Sequence, residues 1–453
     1  MPIIIPANSA AAGGDFVTNG VRFNTQSSTE YMQRNMSNTG NLQAWTVSVW
    51  VKRSVISDGQ HMLFASYYNS SNSTECFFEG NDSLNFRDNE GGSFVFQKKT
   101  TQRFRDPSAW YHLVMSSSAG TQRIYVNGVE VTSWATNTNG SGTSTWNGPY
   151  SHSIAANVNG GSDKAGLYMA EFTSIDGQTL AASSFGEFNE DSGVWQPKEV
   201  TELTFGTNGF YLPFQNSSAL GEDFSGNNLD FATNNMNATN QVTDTCQNNF
   251  ALLNSIDNGY GTINFTEGNT EGEGGGGGWQ PARGTIGLTS GKWYWEVNMS
   301  GSSQVGVNSV VVDMDNDNSQ DLPGATVFYN AGGGYIRTDG SQVGGTVGTG
   351  DLNTVFGFAL DMDNSKLSVY KTGSIIVTNT ALSTSITTID NAFTAIPFFC
   401  VNGGGEYRVN FGNPSTALDN AGVADGNGYG SFEHTPPTGY LAICTKNLSE
   451  ANS

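Results

Sequence analysis

Residues Trp45, Val47, Val49 and Val51 fall at every second position of one eight-residue run, with Thr46, Ser48, Trp50 and Lys52 between them. Successive side chains of a β-strand point to opposite faces, so the first set shares one face and the second set the other. Short runs of this kind recur along most of the chain, each broken by Gly, Asn, Asp or Ser. That period reads as β-strand almost throughout. Ile124-Tyr125-Val126-Asn127-Gly128-Val129-Glu130-Val131 holds an Asn-Gly pair between strand-like flanks. Asn-Gly accepts positive φ, which a two-residue hairpin requires. No stretch longer than about ten residues sustains a helical period. One short helical turn is expected near Ser183-Ser184-Phe185.

The chain has 453 residues, enough for two or three domains. Its 27 Phe, 16 Tyr and 9 Trp can fill real cores. Acidic residues outnumber basic ones by 41 to 19, a net charge of −22. Phosphate backbones are gripped by Lys and Arg, so nucleic acid is excluded as a partner, and an anionic membrane surface is disfavoured. No apolar run approaches the roughly 20 residues of a spanning helix, so no membrane insertion is expected. The opening Met1-Pro2-Ile3-Ile4-Ile5-Pro6 lacks the cationic segment of a secretory signal, and none is expected. Cys76, Cys246, Cys400 and Cys444 share no CxxC spacing, which argues against a disulfide framework or a zinc site.

Composition marks five segments. Residues 1–14 are an N-terminal arm, read either as a docking segment or as a frayed terminus. Residues 15–214 are strand-rich and close on Gly209-Phe210-Tyr211-Leu212-Pro213-Phe214. Residues 215–258, rich in Asn, Ser, Asp and Thr, read as a polar linker. Residues 259–413 are strand-rich again, and the run Gly274 to Gly278 inside them reads as a mobile loop. Residues 414–453 read as a loop-rich tail. The fold expected is all-β: two antiparallel sandwiches joined by a linker.

The first block resembles laminin G-like, concanavalin-type jelly rolls. The resemblance rests on Val21-Arg22-Phe23-Asn24, the run from Trp45 to Arg53, Trp110-Tyr111-His112-Leu113-Val114 and Ile124-Tyr125-Val126-Asn127-Gly128. Met169-Ala170-Glu171-Phe172 followed by Asp176-Gly177-Gln178 adds to it. The second block resembles the SPRY domain, also a concanavalin-like sandwich. It does so at Gly291-Lys292-Trp293-Tyr294-Trp295-Glu296-Val297, at Val305-Gly306-Val307, and from Phe356 to Asp363 with Lys366 to Lys371. In this order, with Asp223-Phe224-Ser225-Gly226-Asn227-Asn228 and Asn248 to Asn254 between them, the two blocks look like tail-fibre and virion structural proteins of marine bacteriophages. The resemblance implies a virion protein, assembled in the host cytoplasm and exposed on the particle. Its partners would be other tail or capsid proteins and host-surface glycan, and a homotrimer fits fibre-like heads.

The residues themselves point the same way. Sugars bind flat aromatic faces flanked by short polar groups. Trp134, Trp146 and Tyr150 lie among Asn, Thr and Gly, and Tyr329 and Tyr335 lie near Asn330 and Gly332 to Gly334. These five are the candidate glycan-binding residues, with sandwich core or protomer interface as the rival reading of each one. Asp313, Asp315, Asp317 and Asp321 copy the first, third, fifth and ninth positions of an EF-hand loop. Asn318 stands where that loop needs Gly, and Gly324 where it needs Glu. A solvated acidic turn is the first reading of this segment; a looser Ca²⁺ site is the remaining metal candidate, and no other cofactor is expected. The four histidines show no ligand spacing, and His112 reads as structural. Concanavalin-like glucanases flank the scissile bond with paired carboxylates, but the Glu-x-Asp-x-x-Glu pattern is absent. The nearest acidic group, Glu187-Phe188-Asn189-Glu190-Asp191, lies in a polar loop. No catalytic residue is therefore assigned, and the protein is read as a non-enzyme. The leading reading is a tail or tail-fibre component that recognises glycan. A capsid-decoration or spike protein of purely structural role is the rival, and a polysaccharide hydrolase the third.

Overall fold

The structure is a computed structural model. It describes residues 16–24, 30–140, 142–157, 165–310, 312–315, 324–387, 394–415, 418 and 421–450. The expected arm and two of the candidate Ca²⁺ ligands, Asp317 and Asp321, lie outside the described residues. Contacts divide the chain into two units, Ala12–Gln247 and a second built from Asn248–Ser453. Each is a sandwich of two antiparallel sheets, and the fold is all-β as the period of the sequence requires.

In the first unit one sheet runs in the order β10 (Val129–Glu130), β9 (Thr121–Val126), β8 (Trp110–Ser118), β3 (Trp45–Arg53), β13 (Leu167–Asp176), β1 (Gly20–Phe23) and β18 (Gln241–Val242). Strand β16 (Phe210–Leu212) also pairs with β13. The other sheet runs β11 (Trp134–Thr138), β7 (Ser93–Arg103), β6 (Ser83–Glu90), β5 (Asn72–Phe78), β4 (His61–Asn69), β12 (Ser151–Ile154), β2 (Tyr31–Asn35) and β17 (Ala232–Asn234). A hairpin, β14 (Gly186–Phe188) with β15 (Trp195–Pro197), stands apart. Trp45, Val47, Val49 and Val51 all enter the core between the sheets, where they meet Phe64, Phe86 and Phe172. Their alternation thus sets which face of β3 turns inward.

The other face of β3 is buried as well, by chain that returns over it. Phe185, Val200, Phe205 and Tyr211 form a second apolar layer with Val114 and Ile175. The Lys52 ammonium is buried against Asp244 at 2.8 Å, and Trp110 Nε1 donates to the same carboxylate at 3.1 Å. Burial draws the Lys52 pKa below its usual range, and the Asp244 charge opposes that shift. His112 is buried, stacked 4.7 Å from Trp50 and hydrogen-bonded to Ser48 and Trp195. Burial holds it neutral, with a pKa of about 3. The Asn127-Gly128 hairpin forms as the sequence predicts, with φ of 47° and 83°, and joins β9 to β10.

Residues 215–258, expected to link two sandwiches, instead complete both of them. Leu220 and Phe231 plug the first core, and β17 and β18 each add an edge strand to a sheet of the first unit. From Asn248 onward the same segment belongs to the second unit, where Ala251 and Leu253 enter the core. Polar residues dominate its composition because they bond its own turns. Asp223 accepts from the amides of Tyr211, Ser225 and Leu229, so few residues are left to signal the burial.

In the second unit one sheet runs β19 (Leu253–Asn258), β22 (Trp279–Gly284), β31 (Ala395–Asn402), β24 (Ser303–Ser309), β25 (Ala325–Tyr329), β26 (Tyr335–Thr338) and β27 (Ser341–Val343). Its partner runs β20 (Ile263–Thr266), β21 (Glu271–Gly274), β32 (Glu406–Asn410), β23 (Lys292–Met299), β28 (Phe356–Asp361), β29 (Lys366–Lys371) and β30 (Ser374–Ala381). The expected loop at Gly274 to Gly278 begins inside β21. A Cβ at Gly272 would lie 2.6 Å from the Tyr407 ring, so glycine there permits close packing. The tail is not loop alone. Strand β33 (Leu441–Ala442) pairs parallel with β23, and Ile443 and Leu448 reach the core. Buried Glu296 accepts from the amides of Glu433 and His434, which fastens that segment to the sheet. No helix among the described residues is long and apolar enough to cross a membrane.

Candidate functional site

The five aromatic candidates do not converge. Trp146 is fully buried. Its indole N–H donates to Ser174 Oγ at 3.1 Å, and its ring lies 4.8 Å from Phe64 and 4.7 Å from His152. It is a core residue with no face for a ligand, which corrects the sequence expectation. Trp134 is half-buried on β11, with the Lys98 ammonium 5.2 Å from its ring centre, and it packs against the core edge. Strand β11 stands five places along the sheet from β12, which Tyr150 precedes, so Trp134 is remote from the other first-unit candidate.

That candidate, Tyr150, is half-buried at the rim. Its ring sits 4.8 Å from that of Tyr68, whose exposure is 59%, the largest among the tyrosines exposed on this chain. The loop behind it is built to hold it. Asp176, at the end of β13, accepts from Asn41 N at 2.6 Å, Asn147 Nδ2 at 3.1 Å and Asn208 N at 3.0 Å. Asn208 in turn donates to the carbonyls of Asn38 and Asn147. One buried carboxylate therefore ties three rim loops together. Asn147 takes a φ of 66°, a left-handed turn that Asn tolerates. His152 accepts from Asn147 N on Nε2 and meets the Tyr150 carbonyl on Nδ1 at 3.0 Å. Burial lowers its pKa to about 4, so the ring is neutral and the network assigns the proton to Nδ1. Met36 N donates to the same carbonyl at 2.9 Å. Tyr150 is thus fixed by its backbone, and its half-buried ring packs on the exposed ring of Tyr68.

Beside this ledge β2 continues as Asn35, paired with Ser151 of β12, which pairs in turn with Tyr67 of β4. A groove of about 480 Å³ opens along β2, lined by Gln33, Arg34, Asn35, Asp230, Ala232 and Asn234. None of these six was singled out by the sequence, nor was Tyr68. The signal for Tyr68 was present, since Tyr67-Tyr68-Asn69-Ser70-Ser71-Asn72 has the same aromatic and amide mixture as the candidate loops.

The second unit does bring its two candidates together. The rings of Tyr329 and Tyr335 lie 5.3 Å apart, edge to face, both half-buried. Arg337 stacks over Tyr329 at 5.5 Å, and buried Trp279 backs it at 5.8 Å. The loop between them needs glycine, because a Cβ at Gly334 would meet the Gly348 carbonyl at 2.2 Å and φ there is 68°.

Of the candidate Ca²⁺ ligands, Asp313 accepts from Asp315 N at 2.9 Å, a local turn. Among the described residues no group of three or more His, Cys, Asp or Glu side chains is placed to hold a metal. The acidic group at 187–191 forms the β14–β15 turn, organised by Asn189 Oδ1, which accepts from the amides of Asp191 and Ser192.

Residues 25–173 match the family model of the concanavalin A-like lectin/glucanase superfamily, laminin G type. That span contains both Tyr68 and Tyr150. No curated protein matches the chain. Among solved structures, the SPRY domain of human HERC1 is similar at 17% identity, covering 33% of this chain and 91% of that one, with a TM-score of 0.24. A heptameric SAP-like pentraxin from Limulus polyphemus follows at 13%, 37% and 80%, with a TM-score of 0.28. A candidate carbohydrate-binding protein from Bacteroides ovatus is similar at 13% identity over 48% of this chain and 58% of its own, with a TM-score of 0.33. Likenesses this weak assign neither family nor ligand.

Proposed function

We propose that the protein binds carbohydrate through its first unit, at the ledge formed by Tyr68 and Tyr150. The observation that carries this reading is a tyrosine pair, Tyr68 exposed and Tyr150 half-buried, beside a loop tied down by Asp176 and near a polar groove. A sugar ring stacks its C–H face on an aromatic ring and offers hydroxyls to nearby amides and carboxylates. A preorganised ledge spares the ordering cost that a mobile loop would add to binding. The match of residues 25–173 to a lectin/glucanase model supports the same ligand class. We read the second unit as SPRY-like and the whole as a virion component, carried by a tail or tail fibre and meeting host glycan. The support for that finer reading is the order of the two sandwiches and the resemblance of their strands.

The test is binding of the full chain to an array of defined glycans, followed by calorimetry on the best ligand. Wild type is expected to bind. Y68A and Y150A should each weaken binding about tenfold, since a stacked aromatic contributes up to about 1.5 kcal/mol. W134A should leave affinity unchanged. Equal affinity of Y68A, Y150A and wild type would remove the ledge from the proposal. Electron microscopy of labelled particles, showing the chain on capsid rather than tail, would replace recognition by decoration.

A further inference from the structure

We infer that the groove along β2 is a second subsite of the same ligand, so that the protein takes a neutral oligosaccharide running from the tyrosine ledge towards β17. This rests on the carbohydrate reading of the ledge and adds its length and charge class. Asn35 joins the two features. It pairs with Ser151, the residue after Tyr150, and it also lines the groove. From β4, which carries Tyr68, to β17 the sheet steps across β12 and β2, three strand spacings or about 14 Å. A single sugar ring cannot span that distance, and a short oligosaccharide can.

The chemistry of the lining sets the charge class. Arg34 and Asp230 bring one charge of each sign, and Gln33, Asn35 and Asn234 bring amides. Gln33 is already engaged, donating to Ser151 Oγ at 2.8 Å. Arg34 donates to the Asp230 carbonyl at 2.7 Å, and one Asp230 oxygen accepts from Asp223 N. The side chains of Asn35 and Asn234 make no hydrogen bond among the described residues, which leaves both amides open to a ligand. An amide both donates and accepts, as a sugar hydroxyl does. A uronate or sulfated sugar would instead meet the Asp230 carboxylate and a chain of net charge −22.

The test measures affinity of the full chain for neutral glucan, mannan and galactan oligosaccharides of one to six residues, beside their uronic acid counterparts. Affinity for the best neutral series should rise at least tenfold between the mono- and the tetrasaccharide. The N35A/N234A double variant should lose that gain and keep monosaccharide affinity, with an unchanged thermal midpoint. Y68A/Y150A should lose binding to every member. Raising salt from 50 to 500 mM should change affinity less than twofold. Length-independent affinity that still needs the tyrosines would overturn the groove and leave the ledge standing. Failure of wild type to bind any sugar would overturn the ledge reading itself. Preference for the uronates, or binding that falls steeply with salt, would overturn the neutral class.

Discussion

Trp146 and Tyr150 share a loop and a composition, yet one is core and the other half-buried at the rim. Nothing local separates them. Trp146 turns inward because Phe64, Phe210 and His152 leave a hole of its size, and that hole is made by strands far away in sequence. The polar ties of the loop before Tyr150 were equally hidden, since Asp176 and Asn208 reach Asn147 only once three loops meet. Tyrosine as a residue type was legible as a binding candidate; its exposure was not. W146A should cost about 3–5 kcal/mol in urea unfolding, the range for emptying a buried aromatic site. Glu171 makes a sharper case. It sits buried in the irregular part of β13 with a φ of 54° and accepts one hydrogen bond, from Tyr211 Oη at 2.6 Å. Burial pushes its carboxyl up to about 7, the Tyr211 bond opposes this, and Glu199 adds to it. In the unfolded chain the group titrates near 4.3. The folded state therefore holds the proton more tightly, and its stabilisation is complete below about pH 4.3 and lost as pH rises to about 7. E171Q, which cannot ionise, should gain about 3 kcal/mol on wild type between pH 5 and pH 8. Parallel unfolding curves of the two proteins at both pH values would contradict this.

Strands and tight turns were the most readable elements. The period-two run at Trp45 became a nine-residue strand, and the two-residue turn at Asn127-Gly128 fell between paired strands with positive φ at both positions. Local sequence suffices there because the backbone conformation itself selects the residue. Gly128 carries a second constraint, since a Cβ on it would lie 2.3 Å from the Trp195 ring. G128V should destabilise the first unit by more than 1 kcal/mol, through both positive φ and displacement of that indole. Near-ultraviolet circular dichroism would report the displaced tryptophan, and an unchanged spectrum with unchanged stability would contradict the packing. The short edge strands β17 and β18 were illegible for the opposite reason. Their residues are ordinary polar ones, and only their partners on β2 and β1 make them strands.

Taken whole, the chain was legible as two sandwiches, but its division was not. Composition shifts at residue 214, whereas the first unit closes at Gln247. A fragment ending at 247 should unfold cooperatively by itself, whereas one ending at 214 should fail to. The shorter fragment lacks Phe231 from its core and leaves Lys52 buried without Asp244, and an uncompensated buried charge costs several kcal/mol. Equal thermal midpoints for the two fragments would show that the segment is dispensable.

The pairing of β1 with β18, and of Lys52 with Asp244, spans nearly the full length of the first unit. During synthesis the early strands must therefore wait, with their edges open, until some two hundred further residues have left the ribosome. Ring closure over so long a stretch is slow, and waiting edges invite pairing between neighbouring nascent chains. Yield of folded protein in the cell should accordingly depend on translation speed and chaperone supply more than on the final stability of either sandwich.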